Sequence, residues 1–304
     1  MNNRLLWVWL LYEIKCAFGA FSKMTTFSIM STQLIILFCY IFSLFPLFEL
    51  KLTHIIMPFH RRQLESVQRN INLWELYPPS DDVTNVSFIF YVSGQYDRKL
   101  ENFLLDLIKK DYFKEISVAF ANLEGNSDSY LKGSRLMFER ILSKEIDFGS
   151  TPPDIVFYME PDCIPIRSYW LATLAAEANY NPKSPFWVKG SIFRGDFDVI
   201  SNDKLYNRIH INGNSLYNLS DERFSDFYFQ GVRPFISSKF NEGAYDTDIY
   251  KLLLWSNARY TAKFFHKFHY SDFIQNYWHS NYSISEILNN CPNTVMIHGG
   301  KARP

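Results

Sequence analysis

The pattern of apolar and polar positions divides the chain into a strongly apolar N-terminal part and a longer body of alternating elements. The segment Phe27–Phe48 has no charged side chain and is long enough to cross about 30 Å of hydrocarbon as a helix. It is preceded by a single acidic residue and by three basic residues, which are Arg4, Lys15 and Lys23. This excess of positive charge predicts a cytosolic segment 1–26, a transmembrane signal anchor 27–48 and a lumenal body.

The next segment, 49–82, becomes more polar and ends in Pro78-Pro79, which is typical of a stem or linker. A cleaved signal peptide is the weaker alternative, because the apolar segment starts late and no clean small-residue cleavage site follows it. These features predict a single-pass type II membrane protein whose body faces the Golgi or ER lumen. Three N-glycosylation acceptor triplets are compatible with that location, and they begin at Asn85, Asn218 and Asn281.

Beyond the stem, short apolar runs alternate with segments whose apolar residues recur at helical spacing. The pattern predicts three strands, the first of them buried, which lie within Val86–Gly94, Glu115–Gly125 and Asp154–Met159. It also predicts two amphipathic helices between them, at Arg98–Lys110 and Ser134–Ile146. Strands that alternate with crossover helices form a mostly parallel sheet, so the body 83–304 is predicted as one α/β domain.

Composition narrows the possible functions. The 304 residues carry a formal net charge of zero, which argues against a surface for nucleic acid. The 18% of aromatic residues indicates a large aromatic core more than a stacking surface. The four cysteines lack the paired spacing of a zinc site, and in the body only Cys163 and Cys291 are available for a disulfide.

An acidic pair follows the third predicted strand directly, as Glu160-Pro161-Asp162. The carboxyl ends of the strands in an open α/β sheet border its ligand crevice, and a proline there ends strand pairing. Carboxylate oxygens suit magnesium or manganese, which often bind one or two carboxylates together with substrate phosphates. The alternative is a polar turn in which Asp162 only caps the following backbone.

The order of strands and helices before this acidic pair resembles the nucleotide-binding half of GT-A fold glycosyltransferases, over roughly Val83 to Lys301. The resemblance implies a Rossmann-like fold whose Asp-x-Asp motif binds the metal and the diphosphate of a nucleotide sugar. This chain departs from the motif at its first position, where Glu160 replaces aspartate. The metal is therefore assigned to Asp162, and Glu160 is assigned to donor binding. The phrases EPDCIPIR and HINGNSLY are similar to nucleotide-sugar transferases of algae, protists and large algal viruses.

The resemblance implies further site residues downstream. The turn in HINGNSLYNL places Gly213 and Asn214 near the donor sugar, although an Asn-Gly pair is also a strong hairpin signal. The segment MIHGGK supplies His298 as a further metal ligand and Lys301 as a point charge for the diphosphate. Arg135, which enters the second helix, donates to the diphosphate or else pairs on the surface.

The segment EGAYDTDIYKLLL places two acidic residues just before an apolar helix. In inverting members of the fold, an acid at this place is the general base that takes the proton from the acceptor hydroxyl. Asp246 is the first candidate for that base and Asp248 is the second. Simple capping of the helix N-terminus is the alternative for both residues.

Together these residues and the resemblance imply an inverting, manganese- or magnesium-dependent glycosyltransferase. Its partners would be a nucleoside-diphosphate sugar donor and a hydroxyl of a glycan or glycoprotein. One rival is a membrane-tethered lectin-like protein that stacks sugars on its aromatic residues without catalysis. The other rival is a glycoside hydrolase, but Glu160 and Asp162 are too close in sequence to flank opposite faces of a sugar.

Overall fold

The computed structural model describes residues 51–179, 185–196, 205–241 and 243–302. These ranges belong to one compact unit, which runs from Leu50 to Pro304. The predicted cytosolic segment 1–26 and transmembrane helix 27–48 lie outside the described residues. Within the described ranges, no helix combines the length and the apolar character needed to cross a membrane.

A central sheet organises the unit. Seven of the described strands form it in the spatial order β3-β2-β1-β4-β7-β6-β8. β7 runs antiparallel to both of its neighbours, and the other pairings are parallel, as the sequence pattern predicts for most of the sheet. These strands are β1 Leu52–Phe59, β2 Ser87–Val92, β3 Glu115–Phe120, β4 Ile155–Tyr158, β6 Val188–Gly190, β7 Leu216–Asn218 and β8 Phe268–Tyr270.

Alternating side chains of the central strands supply both cores. In β1, Ile55 and Met57 face one apolar cluster, while Ile56 faces the other. In β2, Phe90 faces the first cluster and Tyr91 faces the second. Successive side chains of a strand point to opposite faces, so a sheet covered on both sides needs apolar residues at every position.

Helices cover the two faces of this sheet. Their bounds are α1 Leu64–Leu73, α2 Arg98–Leu105, α3 Tyr130–Leu142, α4 Trp170–Asn179, α5 Leu205–Ile209, α6 Glu222–Asp226, α7 Arg233–Lys239, α8 Tyr245–Trp255, α9 Ala258–Thr261 and α10 Ile284–Asn290. A π-helical turn, Phe227–Val232, joins α6 to α7. Asp97 starts α2 by accepting hydrogen bonds from the backbone N–H groups of Lys99 and Leu100.

Two smaller sheets lie beyond the central one. β5 (Cys163–Pro165) pairs antiparallel with β11 (Met296–His298), which pairs parallel with β9 (Ile274–Asn276). A short parallel pair joins β10 (Asn281–Tyr282) to β12 (Lys301–Ala302). The three-stranded sheet brings the C-terminal part of the chain next to the end of β4.

The prediction of a stem at 49–82 is wrong, and the domain begins earlier than residue 83. The segment contains β1, which pairs with β2 on one side and with β4 on the other, and it also contains α1. All eight residues of β1 are buried, so they form the centre of the sheet and not a linker. Consequently the strand predicted as first, within Val86–Gly94, is the second strand of the sheet.

Two residues in β1 obscure its strand character. His54 is buried, and its imidazole lies 3.0 Å from the Phe148 carbonyl oxygen and 3.0 Å from the Thr53 hydroxyl oxygen. Pro58 has no N–H to donate, but the pairing with β4 ends at Ile56, so the proline lies beyond the doubly paired part. His54 is compatible with a buried strand because oxygen atoms lie beside both of its ring nitrogens, and Pro58 is compatible because β4 does not pair with it.

The predicted strands and helices lie close to observed elements. β3 and β4 fall inside their predicted ranges, while α2 ends five residues before Lys110 and α3 begins four residues before Ser134. The short strands β6 and β7 pair antiparallel, but residues 191–215, which include α5, lie between them. Asn212-Gly213 is therefore part of the turn that precedes β7 and not the tip of a two-residue hairpin.

Cys163 and Cys291 are free thiols in the structure, and burial raises the pKa of Cys163 well above its ordinary value. Of the three N-glycosylation triplets, those at Asn85 and Asn281 have exposed asparagines. Asn218 is buried and donates from its amide to the Phe186 carbonyl oxygen at 3.0 Å. The folded chain therefore cannot present Asn218 to a glycosylating enzyme.

Candidate metal and donor site

The acidic tip, residues 160–162, leaves the sheet directly after β4 (Ile155–Tyr158). The Cys163 N–H donates to the Glu160 carbonyl oxygen at 2.9 Å and closes a turn across Pro161. Glu160 is half-buried, while the Asp162 side chain is 53% exposed. Because the tip lies outside the sheet, its carboxylates avoid much of the desolvation cost of the interior.

Helix α1 holds the acidic tip through Asn70, a fully buried residue. Its amide donates to the carbonyl oxygens of Pro161 at 3.0 Å and Cys163 at 2.6 Å. The indole N–H of Trp74 donates to Asn70 Oδ1 at 3.1 Å and so fixes the orientation of that amide. Sequence reasoning missed the role of Asn70. The only sign of it is a polar residue in an amphipathic helix, and that helix lies in the segment 49–82, which was predicted as a stem.

Asn214 orients the Glu160 carboxylate from the other side. The Glu160 N–H donates to Asn214 Oδ1 at 2.6 Å, and Asn214 Nδ2 donates to Glu160 Oε2 at 2.8 Å. Asn214 is itself buried, and its own N–H donates to Asn212 Oδ1 at 3.0 Å. The turn before β7 and the acidic tip are therefore joined by two hydrogen bonds through one side chain.

His298 completes a cluster of three possible metal ligands. In the antiparallel pairing of β5 and β11, it lies opposite Cys163, next to the acidic tip. Its Nε2 lies 3.3 Å from Glu160 Oε2 and 3.5 Å from Asp162 Oδ1. One ligand atom of each residue lies within 4.8 Å of the others. Two carboxylate oxygens and one imidazole nitrogen form a donor set that suits manganese or magnesium with substrate phosphates.

The charges in this cluster shift the pKa values of its members. Burial lowers the pKa of the His298 imidazole, but Asp162 and Glu160 outweigh that effect and raise the pKa above 6.5. Desolvation and then the charge of Glu160 raise the pKa of Asp162, against the attraction of His298. Because half of the Asp162 side chain stays exposed, that desolvation is partial. A proton and a cation therefore compete for the position between the carboxylates and the imidazole.

The turn after His298 docks on the acidic tip. The Gly299 N–H donates to the Asp162 carbonyl oxygen at 3.2 Å. Gly300 has a positive φ of 74°, and a Cβ there would lie 2.4 Å from the Ser280 carbonyl oxygen. The pair of glycines is thus required by the backbone. Lys301 follows in β12 with an exposed side chain beside this turn.

Asp246, the first candidate base, is buried and already has several hydrogen-bond donors. Its Oδ2 accepts from the Gly213 N–H at 2.9 Å and lies 3.4 Å from His210 Nε2, and its Oδ1 accepts from the Thr247 N–H at 2.7 Å. Burial acts to raise the pKa of Asp246. The attraction of His210 and the hydrogen bonds from these backbone N–H groups outweigh burial, so the pKa lies below its ordinary value of 3.8. The structure therefore places Asp246 against the Gly213 turn as a weak proton acceptor.

Asp248, the second candidate base, has no solvent-exposed surface. Its Oδ1 accepts from Lys251 Nζ at 2.6 Å, and its Oδ2 accepts from the Gly243 N–H at 3.2 Å. These contacts occupy both oxygens, so the catalytic assignment of Asp248 has no support in the geometry. The interpretation as a helix-start residue fits it better.

Arg135 lies in the same buried region as Asp248 and not on the surface. Its Nε is 3.5 Å from Glu139 Oε1, and Glu139 also accepts from Arg233 Nε at 3.0 Å. Arg233 Nη1 in turn lies 3.9 Å from Asp248 Oδ2. The structure thus brings Glu160, Asp162, Asn214 and His298 together, while Arg135 and Asp248 belong to a separate buried charge cluster.

No protein-family model matches the chain, and no curated protein matches it. The structure is similar to an active-site mutant of LgtC, with a TM-score of 0.50 and 15% identity over 81% of this chain and 87% of that one. The galactosyltransferase LgtC with donor and acceptor sugar analogues has a TM-score of 0.47 at 13% identity over 81% and 87% of the two chains. Mouse xyloside xylosyltransferase 1 has a TM-score of 0.47 at 13% identity over 81% of this chain and 97% of that one.

At 15% identity the likeness to LgtC shows the fold alone. That fold is the GT-A fold of glycosyltransferases, so this part of the sequence prediction is confirmed. Folds of this kind carry many activities, so the function has to be argued from the site.

Proposed function

We propose that this chain is a metal-dependent glycosyltransferase that moves a sugar from a nucleoside-diphosphate donor to a hydroxyl of a glycan or glycoprotein. One observation carries the proposal. Ligand atoms of Glu160, Asp162 and His298 converge within 4.8 Å at the carboxyl end of a parallel strand. In an α/β sheet this edge is the usual place for a ligand, and the GT-A fold agrees with a nucleotide-sugar donor.

In this proposal Asp162 and His298 hold a divalent cation, manganese or magnesium, and Glu160 borders it. When bound, the cation stabilises negative charge on the leaving diphosphate. Asn214 keeps the Glu160 carboxylate oriented through its two hydrogen bonds. Lys301 carries an exposed positive charge directly after the glycine turn, and we assign it to the diphosphate as a point charge.

The remaining parts of the mechanism stay predictions. Inversion with Asp246 as general base requires a carboxylate that accepts a proton, and the lowered pKa of Asp246 disfavours this. Arg135 is buried and lies beside Glu139, and its role at the diphosphate stays a prediction. Three further parts also stay predictions. They are the transfer of a hexose or a pentose, the narrower similarity to algal, protist and viral transferases, and a type II anchor in the Golgi or ER.

The geometry disfavours both rival functions. The carboxyl groups of a glycoside hydrolase flank the scissile bond at about 5 Å or more, with a sugar between them. Glu160 and Asp162 instead both face the Nε2 atom of His298, at 3.3 Å and 3.5 Å, and so do not stand on opposite sides of a position for a sugar. A lectin-like protein that only stacks sugars on aromatic residues does not account for the convergence of Glu160, Asp162 and His298.

The test is nucleotide release by the full-length chain in detergent. Uridine and guanosine diphosphate sugars are supplied with a glycan acceptor, and release is measured with Mn²⁺, with Mg²⁺ and with a chelator. We expect release with at least one donor, in the presence of metal only. The Asp162→Asn variant should lose activity by about 100-fold, because one ligand and its charge are removed.

Asp106→Asn is the matched control, because Asp106 is an exposed carboxylate at the end of α2. This variant should keep wild-type activity. Release that is equal with metal and with chelator, or an Asp162→Asn variant as active as Asp106→Asn, would contradict the proposed function.

A further inference from the structure

Asn276 lies directly behind His298, on the side away from the acidic tip. It ends β9 (Ile274–Asn276), and the parallel register of β9 with β11 places it opposite His298. The residue is buried, and its Oδ1 lies 3.0 Å from His298 Nδ1. It has no part in the functional assignment above and stands in no motif of the sequence.

The orientation of the Asn276 amide follows from a second contact. The Trp278 N–H donates to the same Oδ1 atom at 3.1 Å. A backbone N–H can only donate, so the amide atom in this position must be the carbonyl oxygen and not the NH₂ group. The Asn276 backbone is held as well, because its carbonyl oxygen accepts from the Arg194 N–H at 2.8 Å.

The state of His298 Nδ1 follows from this orientation. A carbonyl oxygen only accepts, so the His298 Nδ1 beside it must carry the hydrogen. The Nε2 then faces Glu160 and Asp162 with a lone pair whenever the imidazole is neutral. The opposite tautomer would set the Nδ1 lone pair against the Asn276 oxygen, which is repulsive.

We propose that Asn276 is a positioning residue that holds His298 as the Nδ1–H tautomer and so presents Nε2 to the divalent cation. The cation itself rests on the proposed function. Histidine ligands usually donate their second ring N–H to an oxygen, which fixes the ring and makes the ligand nitrogen more basic. Asn276 supplies this oxygen from a neighbouring strand, in a buried position that excludes competing water.

The test compares Mn²⁺ affinity, by isothermal titration of the full-length chain, in wild type and two variants. Asn276→Leu removes the acceptor, and its Mn²⁺ affinity should fall by about 10- to 100-fold. Asn276→Asp keeps an oxygen at the same position and should restore most of the affinity. This rescue separates the loss of the hydrogen bond from a change of side-chain volume.

Gln275→Leu is the matched control. Gln275 is the preceding residue of β9 and is equally buried, but its amide donates to Thr294 Oγ1 at 3.0 Å, and its Oε1 accepts from the Tyr277 hydroxyl at 3.0 Å. Its loss should leave the Mn²⁺ affinity unchanged. An equal loss of affinity in Gln275→Leu and Asn276→Leu would overturn the inference, because it would show a general effect of disturbing β9.

A second measurement needs no variant and no metal. Nitrogen chemical shifts of ¹⁵N-histidine-labelled wild type, recorded at a pH where the imidazole is neutral, report which ring nitrogen carries the hydrogen. We expect His298 as the Nδ1–H tautomer, and an Nε2–H tautomer would overturn the inference. Mn²⁺ binding that is equally tight in wild type and Asn276→Leu would overturn this inference alone, whereas a wild type that binds no Mn²⁺ would overturn the proposed function as well.

Discussion

The two acidic pairs that are candidates for chemistry in the sequence have identical spacing, and the fold uses them in opposite ways. Glu160 and Asp162 follow a strand and turn their oxygens toward His298, with Asp162 half exposed. Asp246 and Asp248 begin helix α8 (Tyr245–Trp255), and both are buried. Each pair was a candidate for chemistry in the sequence, but only the first faces a side chain that completes a ligand set.

The difference lies in the number of donors that surround each carboxylate. Around the second pair, the backbone N–H groups of a turn and of a helix start, together with Lys251, occupy the oxygens. Helix starts favour such contacts because their N–H groups lack partners within the helix. The strand end at Glu160 offers fewer N–H groups, so the first pair keeps oxygens for a ligand. Spacing alone therefore does not assign a role to an acidic pair.

The largest effect is expected for Asp248→Ala. This variant removes the carboxylate that lies 2.6 Å from the Nζ atom of the buried Lys251 in the wild type. We expect the free energy of unfolding to fall by about 3 to 5 kcal/mol, measured by urea denaturation. The double variant Asp248→Ala with Lys251→Met should be more stable than the single variant, because it also removes the buried charge. If the free energy of unfolding fell no more than it does when an exposed carboxylate is replaced, the structural role assigned to Asp248 would be contradicted.

The next effect concerns metal binding at the first pair. Mn²⁺ at about 100 times its dissociation constant should raise the free energy of unfolding by about 2.7 kcal/mol, because it binds only the folded state. Asp162→Asn should lose this stabilisation, whereas Asp246→Asn should keep it. Denaturation of the three proteins with Mn²⁺ and with chelator measures the difference. Equal stabilisation of all three would show that the acidic tip does not bind the cation.

The smallest effect is the pH dependence from Asp246. Its folded-state pKa lies below 3.8, so its ionised form stabilises the fold above pH 3.8, and this contribution is lost as the pH falls through the folded pKa. Asp246→Asn should therefore lose less stability on acidification than the wild type does. The measurement is urea denaturation at a series of acidic pH values.

Asp162→Asn is the control for that series. The pKa of Asp162 is raised, so its protonation on acidification favours the folded state, and the variant lacks this gain. Its stability should fall slightly more steeply with acid than that of the wild type. Identical acid profiles for the Asp246 and Asp162 variants would contradict the distinction drawn between the two pairs.

The elements of the body were predictable where apolar runs are uninterrupted. β2 and β4 are close to such runs, β3 begins with the polar–apolar alternation of a strand, and helical spacing revealed α2 and α3. β1 escaped because His54 and Pro58 interrupt its pattern, and the contacts that make them acceptable come from residues far away in the chain. Local patterns carry no information about such partners.

The site was predictable in its ligands and not in their supports. Asp162 follows a recognisable strand, and His298 stands out beside two glycines. The supporting residues are Asn70, Asn214 and Asn276, which hold the acidic tip, the Glu160 carboxylate and the His298 ring. The role of an asparagine amide depends on the groups that the fold places beside it, and the sequence does not show these groups. Of the three, only Asn214 was predicted as a site residue, because it follows the turn signal Asn212-Gly213.

Local patterns along the chain are enough to predict an α/β body with a mostly parallel sheet and a pair of carboxylates at the end of a buried strand, because apolar periodicity and strand ends are local properties. That residues 52–59 form the centre of the sheet, and that His298 joins both Glu160 and Asp162, follows from the folded arrangement alone. The physical reason is that burial, hydrogen-bond partners and ligand distances depend on contacts between residues far apart in the chain, which spacing along the sequence does not encode.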